Sequence, residues 1–232
     1  MKAAFIIRLH YADNDPRFEW RFAYFSSMVL PRLLAQSEQD FDIAIWCNPW
    51  HQRQLLALSD RIRVFGVRPE VDGFIRPEDQ ARAGRFHIDF TYWRDVVGLA
   101  PYELQIGLDS DDLVHEHYFA RIMREVRARP TGSLHVGFQP LLFNLPNLTQ
   151  YDYKARYGPQ HGSPFFAILQ RDLSKFYFAY EYSHLRLPAF FDESITVPEG
   201  YCWFSIHGQN ASTHLPPSSE PLLNATDALV RV

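Results

Sequence analysis

Four short apolar runs alternate with helix-patterned segments through the first half of this chain, and that alternation leaves few folds open. Ala3 to Leu9 is apolar except for Arg8, the pattern of a strand buried in a parallel sheet. Glu19 to Gln36 follows with helical spacing, Phe22, Phe25, Val29 and Leu33 sharing one face. Pro31 is expected to kink this helix or mark a restart. Phe41 to Cys47 reads as a second strand, Pro49 to Leu58 as a helix opened by proline, and Arg61 to Val67 as an alternating third strand. After a loop with Pro69, Gly73, Pro77 and Gly84, His87 to Leu99 reads as a helix and Glu103 to Leu108 as a fourth strand. The order β-α-β-α-β-α-β predicts an α/β fold, an open and mostly parallel sheet with helices on both faces. Ligands of such sheets bind beyond the carboxyl ends of the strands.

At one such end lies Asp109-Ser110-Asp111-Asp112. Three crowded carboxylates repel one another, and the usual reason to keep them is a hard divalent cation, often carrying a phosphorylated ligand. Capping of the helix expected from about His115 to Arg129 would need only one of them. The two roles are compatible, since a cap residue can also face a metal. Arg8 closes the first strand at the same edge. A guanidinium in an apolar strand needs a partner, either an internal carboxylate or a ligand's phosphate or base. Arg21 and Arg94 are the other cationic candidates.

Beyond Arg129 short apolar runs alternate with Pro, Gly and Asn: Ser133 to Phe138, Leu141 to Leu145 and Pro164 to Gln170. Leu173 to His184 reads as a helix and Gly200 to Ile206 as a final strand. The Pro- and Ser-rich stretch from His214 to Glu220 reads as a peripheral strap or a poorly ordered end.

Two further constellations stand out. His207-Gly208-Gln209-Asn210 follows the last strand, where Gly208 lets the backbone approach a ligand. His207 is open to two readings, a turn histidine or the third ligand of an Asp-Asp-His metal site. Asp192-Glu193 follows Phe190-Phe191; as an acceptor-side pair either carboxylate can take a proton from a hydroxyl, and as a surface pair either can cap a turn.

Composition excludes several classes. The chain has 232 residues, 47% hydrophobic and 22% charged, with net charge −4. That is enough to bury a core, and no broad basic surface points to nucleic acid. Two isolated cysteines, Cys47 and Cys202, make neither a disulfide framework nor a zinc ligand set, so a reducing cytoplasm is expected. No apolar stretch approaches the ~20 residues of a membrane span, and peripheral attachment stays open. Glycine-rich phosphate loops and the G-x-S-x-G elbow are absent, and His115-Glu116-His117 lacks the spacing of a helical zinc site.

Together these stretches resemble a glycosyltransferase of the GT-A (Rossmann-like) fold, Asp109-Ser110-Asp111 resembling its D-x-D metal motif. More narrowly the chain resembles a bacterial rhamnosyltransferase family. The resemblance is carried by Ile7-Arg8-Leu9, Trp20 to Phe25 through Leu30-Pro31, Gln36 with Asp40-Phe41, Gly107 to Asp112, and Ile206 to Asn210. It implies one domain: residues 1–112 as a nucleotide-sugar-binding half, 113–213 as an irregular acceptor-side half, and 214–232 as a tail. It also implies a nucleotide-sugar donor held by Mg²⁺ or Mn²⁺ and a glycan or other hydroxyl acceptor. Asp109 would face the donor ribose or the metal, and Asp111, Asp112 and His207 the metal. Arg8, Arg94 and Asn210 would serve the donor, with Asp192 or Glu193 as the base of an inverting reaction. Aromatics of Tyr151 to Tyr157 and Phe165-Phe166 would wall the acceptor side. Two other classes remain: a metal-dependent nucleotidyltransferase or phosphohydrolase, and a non-catalytic nucleotide- or glycan-binding module.

Overall fold

The structure, a computed structural model, describes residues 1–9, 17–47, 51–66, 102–144, 149–152, 164–172, 187–198 and 200–206. The four expected strands form: β1 (Ala3–Leu9), β2 (Asp42–Cys47), β3 (Ile62–Gly66) and β4 (Leu104–Asp109). Between β1 and β2, α1 (Arg17–Tyr24) runs into a π-helical turn (Phe25–Val29) and then α2 (Leu30–Leu34). Pro31 explains the wide turn. It has no N–H to give to the carbonyl four residues back, and its ring crowds that carbonyl. The chain answers by widening just before the proline, so that Leu30 N–H reaches Phe25 O. Between β2 and β3 the described helix is the short α3 (Gln52–Leu56).

After β4 come the short strand β5 (Leu113–Val114) and α4 (Tyr118–Ala128). The rest contributes β6 (Ser133–Phe138), β7 (Leu141–Asn144), β8 (Thr149–Asp152), β9 (Phe166–Gln170), β10 (Glu193–Val197) and β11 (Cys202–Ile206). This second half is more regular than its Pro, Gly and Asn content implies, because those residues bracket short strands. The helices expected over 87–99 and 173–184 and the stretch 214–220 lie outside the described residues.

The main sheet has the order β10-β6-β9-β4-β1-β2-β3, with β9 antiparallel to its neighbours and the other strands parallel. Register draws rows across it. Ala3, Leu104, Leu169, Leu134 and Glu193 make one row at the amino edge. Asp109, Arg8, Trp46 and Phe65 make another at the carboxyl edge.

One face carries Phe5, Ile7, Leu9, Ile106, Leu108, Val136 and Phe138, all within the cluster that also holds Phe25, Val29, Leu33, Phe119 and Ile122 of the helices. Phe41 sits at its centre, its ring 4.8 Å from both Phe5 and Phe119. Each such side chain, fully buried, stabilises by roughly 1.5–3 kcal/mol. The opposite face is buried as well, at Ala4, Ile6, Ala44, Trp46, Gln105 and Ile168. A second sheet, β5-β11-β7-β8, adjoins the carboxyl edge. No described helix is long and apolar enough to cross a membrane.

Candidate active site

The acidic cluster leaves β4 as a tight turn in which Asp112 N–H bonds to Asp109 O at 3.2 Å. Its three carboxylates then go to three different partners. Asp109, at the last position of β4, is opposite Arg8 in register. Arg8 Nη2 donates to Asp109 Oδ1 at 2.8 Å, with both side chains part-exposed. The cation that β1 carries into the sheet therefore has an internal carboxylate as partner. Asp111 is 4% exposed and forms an ion pair with Arg21 of α1. Asp112 is 3% exposed, and its Oδ1 accepts from Ser205 N–H of β11 at 3.0 Å. Burial, and then the charges of Asp111 and Asp109, push the Asp112 carboxyl well above the usual carboxylate range.

Helix capping does not account for the cluster. The first turn of α4 receives its side-chain acceptor from elsewhere: Gln36 Oε1 takes Phe119 N–H at 2.9 Å, while Gln36 Nε2 donates to His115 O at 2.7 Å. The residue preceding α4, His117, makes no side-chain cap bond.

Tyr24 and Ser205 complete the surroundings. Tyr24 Oη lies 3.4 Å from Ser205 Oγ, and burial raises its phenol to about 12. One turn earlier on α1, Trp20 stacks on Tyr24 with centroids 5.3 Å apart. Thus α1, β4 and β11 meet at one place. Ser205 was not among the expected site residues, because what it gives the acidic cluster is a backbone N–H, which no residue type signals.

Asp192 and Glu193 are somewhere else. Glu193 stands in the amino-edge row with Leu104, five residues before Asp109 along the strand direction, roughly 16 Å at about 3.3 Å per residue. Both carboxylates are engaged there. Asp192 Oδ2 accepts Ser133 N–H, and Ser133 Oγ accepts Asp192 N–H, each at 3.0 Å. Glu193 Oε1 receives Arg129 Nε at 2.7 Å, and Arg129 also pairs with Glu125. The structure thus places Asp192 and Glu193 at the amino edge and brings neither to the acidic cluster, because the strand they open starts at the far edge. Arg94, His207 and Asn210 lie outside the described residues, as do Tyr153 and Tyr157.

Among the described residues, no three His, Cys, Asp or Glu side chains converge as a metal-binding group. Asp109 and Asp111 nevertheless offer hard carboxylate oxygens of the kind Mg²⁺ and Mn²⁺ accept. They suit such an ion if their arginines turn aside and other oxygens, such as those of a diphosphate, complete its shell.

The sheet order and the charged carboxyl edge define an α/β fold of the GT-A type. Solved structures of S. aureus TarS have the same fold. TarS residues 1–349 in complex with UDP-GlcNAc match at a TM-score of 0.57 and 11% identity, over 94% of this chain and 62% of that one. The UDP complex of TarS 1–349 matches at 0.54 and 12%, over 89% and 61%. This chain thus spans about three fifths of TarS 1–349. The sequence model of the family described as "Putative rhamnosyl transferase" matches residues 4–219, and the chain belongs to that family. None of the curated proteins matches it.

Proposed function

We propose that this protein is a glycosyltransferase that moves a sugar from a nucleotide-sugar donor to a hydroxyl of a glycan or small acceptor. The observation that carries the reading is the gathering of Asp109, Asp111, Arg8 and Arg21 at the carboxyl edge of the sheet's two central strands. That is the edge where sheets of this kind bind ligands, and a carboxylate–arginine set matches both halves of a metal diphosphate. The arginines offer charge-assisted N–H donors to phosphate oxygens, and the carboxylates offer oxygens to a cation. In this reading Asp109 and Asp111 serve the donor and its Mg²⁺ or Mn²⁺, with Asp112 fixing the turn against β11. His207 and Asn210, which follow β11 in sequence, are assigned to the metal and the donor, and Arg94 to the diphosphate. The cation, when bound, is the Lewis acid that takes up charge on the departing nucleoside diphosphate.

The family's description supplies the expectation of a rhamnosyl group. The complexes of TarS with UDP and UDP-GlcNAc add uridine nucleotides to the donors worth testing. Asp192 and Glu193 are given no part in the transfer. The free, buried thiols of Cys47 and Cys202 accord with a cytoplasmic setting.

The test is a thermal-shift panel of UDP, dTDP, GDP, CDP and ADP and their sugar conjugates, each with Mn²⁺ and with EDTA. A nucleotide that stabilises only with metal supports the donor site. No response to any nucleotide, in the wild type as in Asp111→Ala, removes it. Release of inorganic phosphate without any acceptor would replace transfer by hydrolysis.

A further inference from the structure

We infer that Arg21 is a resident cation at Asp111 that a divalent metal ion has to displace, so that metal uptake is coupled to arrival of the nucleoside diphosphate. The inference rests on the donor-site reading above and concerns the order in which that site fills.

The geometry is specific. Asp111 is the most enclosed carboxylate of the D-x-D triplet, its side chain 6% exposed and that of Arg21 14% exposed. Asp109 is held by Arg8. Two of the turn's three carboxylates are thus matched by guanidinium groups, and the third, Asp112, is buried and turned to Ser205 N–H, so a bare hydrated cation meets motif carboxylates that already hold a cation. To reach Asp111 such an ion must shed water, which Mg²⁺ does reluctantly. It must also evict Arg21, separating a nearly buried guanidinium from its ion-pair partner, a costly arrangement.

A nucleoside diphosphate changes the balance. Its phosphates accept the released guanidinium through paired N–H donors, and other oxygens of the same groups ligate the metal. The exchange makes and breaks no covalent bond: Asp111 passes from arginine to metal, and Arg21 passes from carboxylate to phosphate. The fold leaves the movement to the side chain. Helix α1 is anchored through Phe18, and the π-helical turn after it through Phe25, both within the main core cluster. The guanidinium carbon lies 5.8 Å from the Trp20 ring centroid, so an aromatic face accompanies the side chain.

The experiment counts free Mn²⁺ by electron paramagnetic resonance on the full chain, with and without UDP, or whichever diphosphate of the panel gives the largest shift. In the wild type, nucleotide should tighten Mn²⁺ binding at least about tenfold, a coupling of about 1.4 kcal/mol. Arg21→Gln should bind Mn²⁺ alone at least about tenfold tighter than wild type and lose most of that coupling. Equal or weaker Mn²⁺ binding by Arg21→Gln without nucleotide would show that Arg21 only holds Asp111 in place, and would overturn the inference. Asp111→Asn provides an independent arm should Arg21→Gln not fold. With Arg21 already released, it should bind UDP in EDTA several-fold tighter than wild type, by about the reciprocal of the lost competition; unchanged or weaker binding counts against the exchange. A wild type that binds Mn²⁺ equally well with and without nucleotide sinks the inference alone, whereas one that binds neither ligand sinks the donor-site reading with it.

Discussion

Phe166 rests its ring on the backbone of Gly107, so that a Cβ at Gly107 would stand 2.6 Å from Phe166 Cζ. In register, Phe166 of β9 faces Gly107 on one side and Gly137 on the other. The reversed strand is thus admitted beside β4 because a large ring is met by a residue with no side chain. Gly107→Ala is expected to destabilise by about 1–3 kcal/mol through overpacking. Phe166→Leu in the same chain should return part of that loss, since the two residues share one space. Urea denaturation of the single and double variants measures both effects; additive losses would contradict the shared packing.

Asp109 pairs with Arg8 where both side chains are part-exposed. Asp109→Asn should therefore change the stability of the ligand-free protein by no more than about 1 kcal/mol. The metal-dependent nucleotide shift, in contrast, should largely disappear. Thermal denaturation with and without Mn²⁺ and nucleotide separates the two; an undiminished shift would take Asp109 out of the donor site.

His135 is 5% exposed, accepts or donates at Nδ1 with Ser194 Oγ at 2.9 Å, and has no partner at Nε2 among the described residues. Burial lowers it to about 4, against about 6.5 for an unfolded histidine. The neutral ring is the native form. Its contribution is complete above about pH 6.5 and is lost as pH falls toward 4, where the unfolded chain takes up a proton that the fold excludes. The loss should approach roughly 3 kcal/mol. Urea midpoints at pH 7.5 and 4.5 should differ less in His135→Gln than in wild type.

The Asp192–Ser133 exchange of hydrogen bonds joins β10 to β6 at an exposed corner. Asp192→Ala should cost about 0.5–1.5 kcal/mol. Asp192→Asn and Glu193→Gln should leave sugar transfer within about twofold of wild type, below the ~10²-fold that loss of a general base entails. Steady-state rates at saturating donor decide this; a hundredfold loss would restore a carboxylate at the amino edge to the chemistry.

Much of the central fold was legible because β1 to β4 are short apolar runs whose periodicity differs from that of the segments between them. β1 has the bounds its composition sets, and Pro31 announced the disturbed helix. What was not legible depends on partners far along the chain. Gln36 caps a helix 83 residues away, and the spacing of no motif encodes that. Asp192 lies about the right distance from Asp111 along the chain for a base, yet strand direction puts it at the opposite edge. β5 is two residues long, too short for any periodicity to declare itself. The candidate site was half legible: Asp109 and Arg8 lie at the ends of separate apolar runs, but only the pairing of those runs makes them neighbours.

That pairing has a further effect on how the chain reaches its fold. Arg8 and Asp109 face each other across β1 and β4 at one alignment only, since a slip of one residue would send the two side chains to opposite faces of the sheet. The remaining positions of these strands are mostly apolar and distinguish poorly between neighbouring alignments. The ion pair therefore acts as a register mark for the sheet's central seam: the native alignment alone sets these two charges opposite each other, a preference of up to about 1 kcal/mol at part-exposed positions.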